Sequence, residues 1–95
     1  MKNIPAMNAD NDSLISYPCD FPIKVMGPNH PEFVDAMCFL ARQFDGDWRT
    51  ESLEKRESKG GKYLGLTFTL HVHSREQLDE VYRTLSSHPM VKVVL

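Results

Sequence analysis

Residues 63–77 read Tyr63-Leu64-Gly65-Leu66-Thr67-Phe68-Thr69-Leu70-His71-Val72-His73-Ser74-Arg75-Glu76-Gln77. Leu64, Leu66, Phe68, Leu70 and Val72 share one parity; Tyr63, Gly65, Thr67, Thr69, His71 and His73 share the other. Successive side chains of a strand point to opposite faces, so this alternation predicts a strand with one apolar and one polar face. The period then changes. Ser74 and Gln77 form a capping-box pattern, in which hydroxyl and amide each satisfy a backbone N–H at a helix start. Leu78, Val81, Tyr82 and Leu85 follow at offsets 0, 3, 4 and 7, an apolar stripe at helical period that ends near His88-Pro89.

Ahead of this strand, Ser58-Lys59-Gly60-Gly61 predicts a hairpin turn. Residues 47–57 are polar and weakly alternating, with Trp48, Thr50 and Leu53 among charges, and read as an exposed edge strand guarded by those charges. Further upstream, Phe21, Ile23 and Val25 alternate with Pro22, Lys24 and Met26, which predicts another half-buried strand. Gly27-Pro28-Asn29-His30-Pro31 is a cluster of breakers and reads as a loop. Pro31 and Glu32 suit a first helical turn, and Phe33, Val34, Met37, Leu40, Ala41 and Phe44 form its apolar stripe before Gly46 stops it. Met90 to Leu95 closes the chain as a short β-branched strand.

The resulting order is β-α-β-β-α-β. Right-handed crossovers and one apolar face per element then build an α+β, ferredoxin-like domain: a four-stranded antiparallel sheet in the order 4-1-3-2 with both helices on one face. At 95 residues there is room for one such domain, expected over 18–95, behind a flexible polar leader at 1–17. A net charge of −2 offers no broad field for nucleic acid or an anionic membrane. No apolar run approaches the ~18 residues of a membrane span, and the first twenty lack the apolar core of a signal peptide. The expected location is therefore the cytoplasm, with Cys19 and Cys38 reduced and Cys38 reading as a small buried hydrophobe.

Several chemistries known on this fold fail at the residues. The first loop has no sulfur for a soft metal, and no arginine neighbours Asn29 to clamp a phosphate. His71 and His73 share a strand face but supply only two ligands, so they read as polar surface. His30 and His88 adjoin prolines at helix boundaries and suit capping or loop roles. No catalytic residue, metal ligand or cofactor is expected. The candidate ligand site is the first loop, Gly27, Asn29 and His30; the candidate interaction surface is Lys24, Trp48, Lys59, Tyr63 and Lys92. Lys55, Arg56, Lys59 and Lys62 gather near the hairpin, a solvated turn by default and a docking point for an acidic partner otherwise. Trp48 either packs on the end of the first helix or anchors a partner. The last strand is guarded only by Lys92, which makes Val91 and Val94 a candidate edge for a weak homodimer.

The stretches Phe21-Pro22-Ile23-Lys24-Val25-Met26-Gly27, Phe33-Val34, Ser58 to Tyr63 and Val91 to Leu95 resemble the YbeD family of small bacterial proteins, over about residues 18–95. The resemblance implies an ACT-like βαββαβ fold, and ACT domains bind small ligands near the first loop and helix. The chain lacks the Asp-x-x-Gly type of signature seen in ACT domains. It also departs from the family at Gly65, where serine is more usual, which removes a hydroxyl from the open face beside Tyr63. The expected function is a non-enzymatic regulatory module acting by protein contact or small-ligand sensing. The alternative is single-stranded RNA binding on the open face around Lys24, Tyr63 and Lys92, against which stands the scarcity of stacking aromatics there.

Overall fold

A computed structural model describes residues 15–95. The expected leader lies largely outside the described residues, and Tyr17 already packs against the core. The elements are β1 (Cys19–Pro28), α1 (Pro31–Phe44), a 3-10 turn (Thr50–Ser52), β2 (Glu54–Glu57), β3 (Tyr63–Val72), α2 (Arg75–Ser87) and β4 (Val93–Val94). The sheet order is β2-β3-β1-β4, which is the predicted 4-1-3-2 read from the other edge, and all three pairings are antiparallel. The long central pair runs in unbroken register from Cys19↔Val72 to Pro28↔Tyr63.

The predicted parity of β3 holds. Leu64, Leu66, Phe68, Leu70 and Val72 are buried with Ile23 and Val25 under the two helices. From α1 come Phe33, Met37, Cys38 and Ala41, and from α2 come Leu78, Val81, Tyr82 and Leu85. Leu40, expected in the core, is only half-buried, because the buried stripe of α1 turns toward Cys38. Desolvation in that setting pushes the Cys38 thiol pKa above its ordinary value, opposed in part by the Arg42 charge.

Three boundaries differ from the sequence reading. First, β1 continues through Gly27 and Pro28, so the expected loop contracts to Asn29 and His30. Pro22 is tolerated within it for a geometric reason. Lys24 exchanges both backbone hydrogen bonds with Leu95 (3.2 and 2.7 Å), so alternate β1 residues turn toward β4. Pro22 faces that same side beyond the last paired residue, where a missing N–H leaves no ladder bond unmade.

Second, the edge strand expected at 47–57 is confined to Glu54–Glu57. Asp45 redirects the segment before it: one carboxylate oxygen accepts from Asp47 N–H (3.1 Å), the other from His71 N–H on β3 (3.0 Å). Ser52 Oγ donates to Arg49 O (2.6 Å) and Arg42 donates to Thr50 Oγ1 (2.7 Å), which closes the 3-10 turn. Third, β4 contains only Val93 and Val94, and both Val91 and Val94 point their side chains into the core.

Candidate functional site

The first-loop residues singled out as ligand groups all carry structural tasks. At Gly27 a Cβ would lie 2.6 Å from Met90 O and 2.6 Å from two ring carbons of Phe33, so β1 passes the helix and the chain end only without a side chain. Asn29 pins the loop to the hairpin: its N–H donates to Lys62 O (3.1 Å) and its Nδ2 to Gly61 O (2.9 Å). His30 caps α1, Nδ1 accepting from Glu32 N–H (3.1 Å). His88 Nδ1 likewise accepts from Met90 N–H (3.1 Å). An aspartate-rich hollow forms at the far end of the sheet, where His71 Nδ1 lies 2.9 Å from Asp20 Oδ1 and its ring meets that of His73 edge-on at 5.2 Å. Among the described residues, no group of three or more His, Cys, Asp or Glu side chains is placed to hold a metal ion.

Trp48 leaves the interaction surface. It is 6% exposed and meets Phe68 edge-on with ring centroids 6.3 Å apart. Because β2 pairs only with Leu64 to Thr67, the upper half of β3 has no strand beside it on that edge. Trp48, at the head of the Asp45-anchored segment, seals the core there. A lone tryptophan among polar residues carries no period, so pattern reading could not separate a plug from an anchor.

Lys24 and Tyr63 share the sheet face opposite the helices, with the row of Met26 and Gly65 between them. The ladder pairs place Glu54, Thr67, Lys24 and Leu95 in one row across the four strands, and Arg56, Gly65, Met26 and Val93 in the next. Ser58 and Tyr63 follow at the hairpin end, where Ser58 N–H donates to Tyr63 O (2.9 Å) and Tyr63 N–H to Ser58 Oγ (2.9 Å). Gly60 and Gly61, at φ 89° and 75°, make that tight return possible. Lys62 Nζ stands 5.5 Å from the Tyr63 ring centroid, within cation–π range. Lys59 and Lys92 are exposed, Lys59 in the turn and Lys92 beside Met26, whose carbonyl accepts the Lys92 N–H (2.7 Å).

These rows enclose an open depression of about 550 Å³. Its centre is Gly65, where the missing side chain leaves a notch between Arg56 and Met26. Unlike Gly27, this glycine is not demanded by crowding: a Cβ would approach nothing closer than Arg56 O at 3.6 Å. Met26 is 40% and Leu95 54% exposed, large apolar side chains left open beside Lys24 and Arg56. Met26 was legible as a residue of the open parity and Arg56 as one of the charges near the hairpin, but their meeting across a glycine depends on register.

A family described as "Protein of unknown function (DUF493)" matches residues 12–95. A UPF0250 protein of Bordetella pertussis is 56% identical over the whole of both chains. Another, of Paraburkholderia phytofirmans, is 54% identical over 94% of this chain and 100% of its own length. One of Leptothrix cholodnii is 52% identical over the full length of both. With a matching family model over most of the chain and relatives this similar over their full length, the chain belongs to the DUF493/UPF0250 family, the YbeD family of small bacterial proteins.

Proposed function

We propose that this chain is a non-enzymatic regulatory module of the cytoplasm that acts by contact with a protein partner through its open sheet face. The observation that carries the reading is the notch over Gly65, bordered by the exposed Met26 and Leu95 and by the Lys24 and Arg56 cations. Solvated sheet faces ordinarily carry polar side chains, and a cluster of open apolar groups with a polar rim has the anatomy of a recognition surface. Small-ligand sensing at Gly27, Asn29 and His30 is the weaker reading, since packing, loop pinning and helix capping already occupy these groups. RNA binding is weaker too. It needs a row of stacking rings, and on the open-face parity of β1 and β3 Tyr63 stands at one end and His71, already against the His73 ring, at the other.

The test is affinity capture from bacterial lysate with the wild-type chain and with a Met26→Asp/Leu95→Asp double variant. Both positions are exposed, so the variant is expected to keep its circular dichroism and melting temperature. A protein retained by the wild type and lost from the variant supports the reading. Equal retention by both, or none by either, refutes it.

A further inference from the structure

We infer that the hairpin-side half of the open sheet face is a docking site for an acidic segment of a partner protein, which inserts one apolar side chain over Gly65. The inference rests on the open face being the working surface and adds the chemistry of its partner. Two independent features of the face converge on it.

The first is charge. The chain as a whole is acidic, at −2. Its helices carry much of that excess, with Glu32 and Asp35 on α1 and Glu76, Asp79 and Glu80 on α2. In the two central rows of the open face Lys24 and Arg56 stand against the carboxylate of Glu54 and the terminal carboxylate of Leu95. Lys62, over the Tyr63 ring, and Lys92, beside Met26, tip the face to positive. Among the described residues, none of these four cations is in an ion pair. Cations held apart from carboxylates in a chain of opposite net sign form a local field, and a partner of the complementary sign is steered to it.

The second feature is shape. Gly65 takes an ordinary extended strand conformation, and a Cβ there would have room. The position is therefore open without any need of the fold. A strand interior loses stability by carrying glycine, through backbone entropy and lost packing. What the glycine leaves is a notch floored by backbone, with the Met26 thioether on one side and the Arg56 stem on the other. Methionine adapts its three torsions to an incoming group, and the arginine stem offers apolar surface below a charged head. A hydrophobic side chain seated there brings its neighbours on the same segment over Lys24 and Arg56, where carboxylates are favoured. Nucleic acid would satisfy the charges but would leave the notch without an apolar side chain to fill it.

The test uses the full-length, 15N-labelled chain and three probes: a synthetic peptide with one phenylalanine flanked by aspartates and glutamates, the same peptide with lysines in their place, and oligouridine. The acidic peptide is expected to shift the amides of Met26, Arg56, Gly65 and Thr67, and to bind more weakly as salt rises, because exposed charges are screened. Gly65→Val fills the notch without crowding the backbone, and Lys24→Glu/Arg56→Glu reverses the field. Each is expected to weaken binding about tenfold, the equivalent of ~1.4 kcal/mol, with folding unchanged. Undiminished binding by either variant, equal binding of the lysine peptide, or shifts by oligouridine alone overturns the inference. If lysate capture depends on Met26 and Leu95 while charge reversal leaves it intact, the surface stands and the acidic partner falls. If capture fails altogether, the surface itself is wrong.

Discussion

Replacing Gly27 by alanine puts a methyl carbon where β1 passes beneath α1 and the chain end. In the wild-type backbone that carbon would lie 2.6 Å from Met90 O and from Cε1 and Cζ of Phe33. Comfortable contacts between carbons are about 3.5–4.0 Å, so the overlap is roughly 1 Å against the two ring carbons, with the carbonyl oxygen crowded as well. Phe33 is fully buried and Met90 O is backbone, so neither can swing aside into solvent. Overpacking of this kind typically costs about 1–3 kcal/mol, and the gain from restricting the unfolded chain returns only about 0.4–1 kcal/mol where no strain exists. The expected net loss is about 2 kcal/mol, or a fall in melting temperature of about 8–16 °C for a domain of this size. Urea unfolding followed by Trp48 fluorescence measures it, with the slope unchanged if the native state remains compact. Phe33→Leu in the same chain should recover part of the loss, because it removes the ring carbons in question, and the two substitutions should be non-additive. Gly65→Ala is the control, with its nearest neighbour at 3.6 Å and an expected change within about 0.5 kcal/mol. A Gly27→Ala chain that loses less than half a kcal/mol would refute the packing account and return Gly27 to the candidate ligand groups.

Three further outcomes are expected. Trp48→Ala should cost about 3–5 kcal/mol by opening a cavity at the free edge of β3, whereas a partner anchor would leave the unfolding midpoint where it is. Burial raises the pKa of Cys38 and of Tyr82 above their ordinary values of 9.0 and 10.0. The unfolded chain therefore releases both protons first: stability is intact below about pH 9 and falls as pH rises through the interval up to the folded pKa values, at no more than ~1.4 kcal/mol per pH unit for each group. Denaturant midpoints between pH 7 and 11 check the sign, and a rise above pH 9 would contradict it. Leu95 turns its N–H and C=O to Lys24, so those of Val94 face away from β1, and weak self-association through that backbone edge should appear in sedimentation at high micromolar concentration and vanish with Val94→Pro.

Much of the fold was legible because it rests on periodicity. Leu64 to Val72 alternate without a fault, and the Ser74 hydroxyl accepts from Gln77 N–H (3.1 Å) as the capping pattern requires. The box differs only in where Gln77 reaches: its Oε1 accepts from His73 N–H (2.6 Å) and its Nε2 donates to Phe44 O (3.3 Å), which ties α2 to the end of α1. Periodicity has nothing to say where a single residue acts through distant neighbours. Asp45 looks like any polar residue after a helix, yet its carboxylate bends the next segment by holding a β3 amide 26 residues on. The edge strand is shorter than the 47–57 pattern predicts because charges and weak alternation are shared by an edge strand and by a loop closed on itself through Arg49, Thr50 and Ser52.

The candidate site was legible in proportion to how little the fold asks of its residues. Gly27, Asn29 and His30 drew attention because glycine, asparagine and histidine beside prolines are unusual, but unusual residues in a short connection are what tight packing, pinning and capping require. A side chain that holds the backbone has fewer atoms left to offer a ligand: Asn29 keeps Oδ1 and His30 keeps Nε2. Lys24, Met26, Arg56 and Leu95 looked ordinary, and each projects from the open face away from the core. The contrast between the two strand glycines makes the same point with distances: at Gly27 the neighbours stand at 2.6 Å and dictate the residue, whereas at Gly65 they stand back at 3.6 Å and do not. The second glycine is the one whose absence of a side chain the fold does not explain, and it lies at the centre of the only row in which an arginine and an exposed methionine flank bare backbone among the described strands. On the proposed docking reading, contact with another molecule is what the strand gains by giving up packing there.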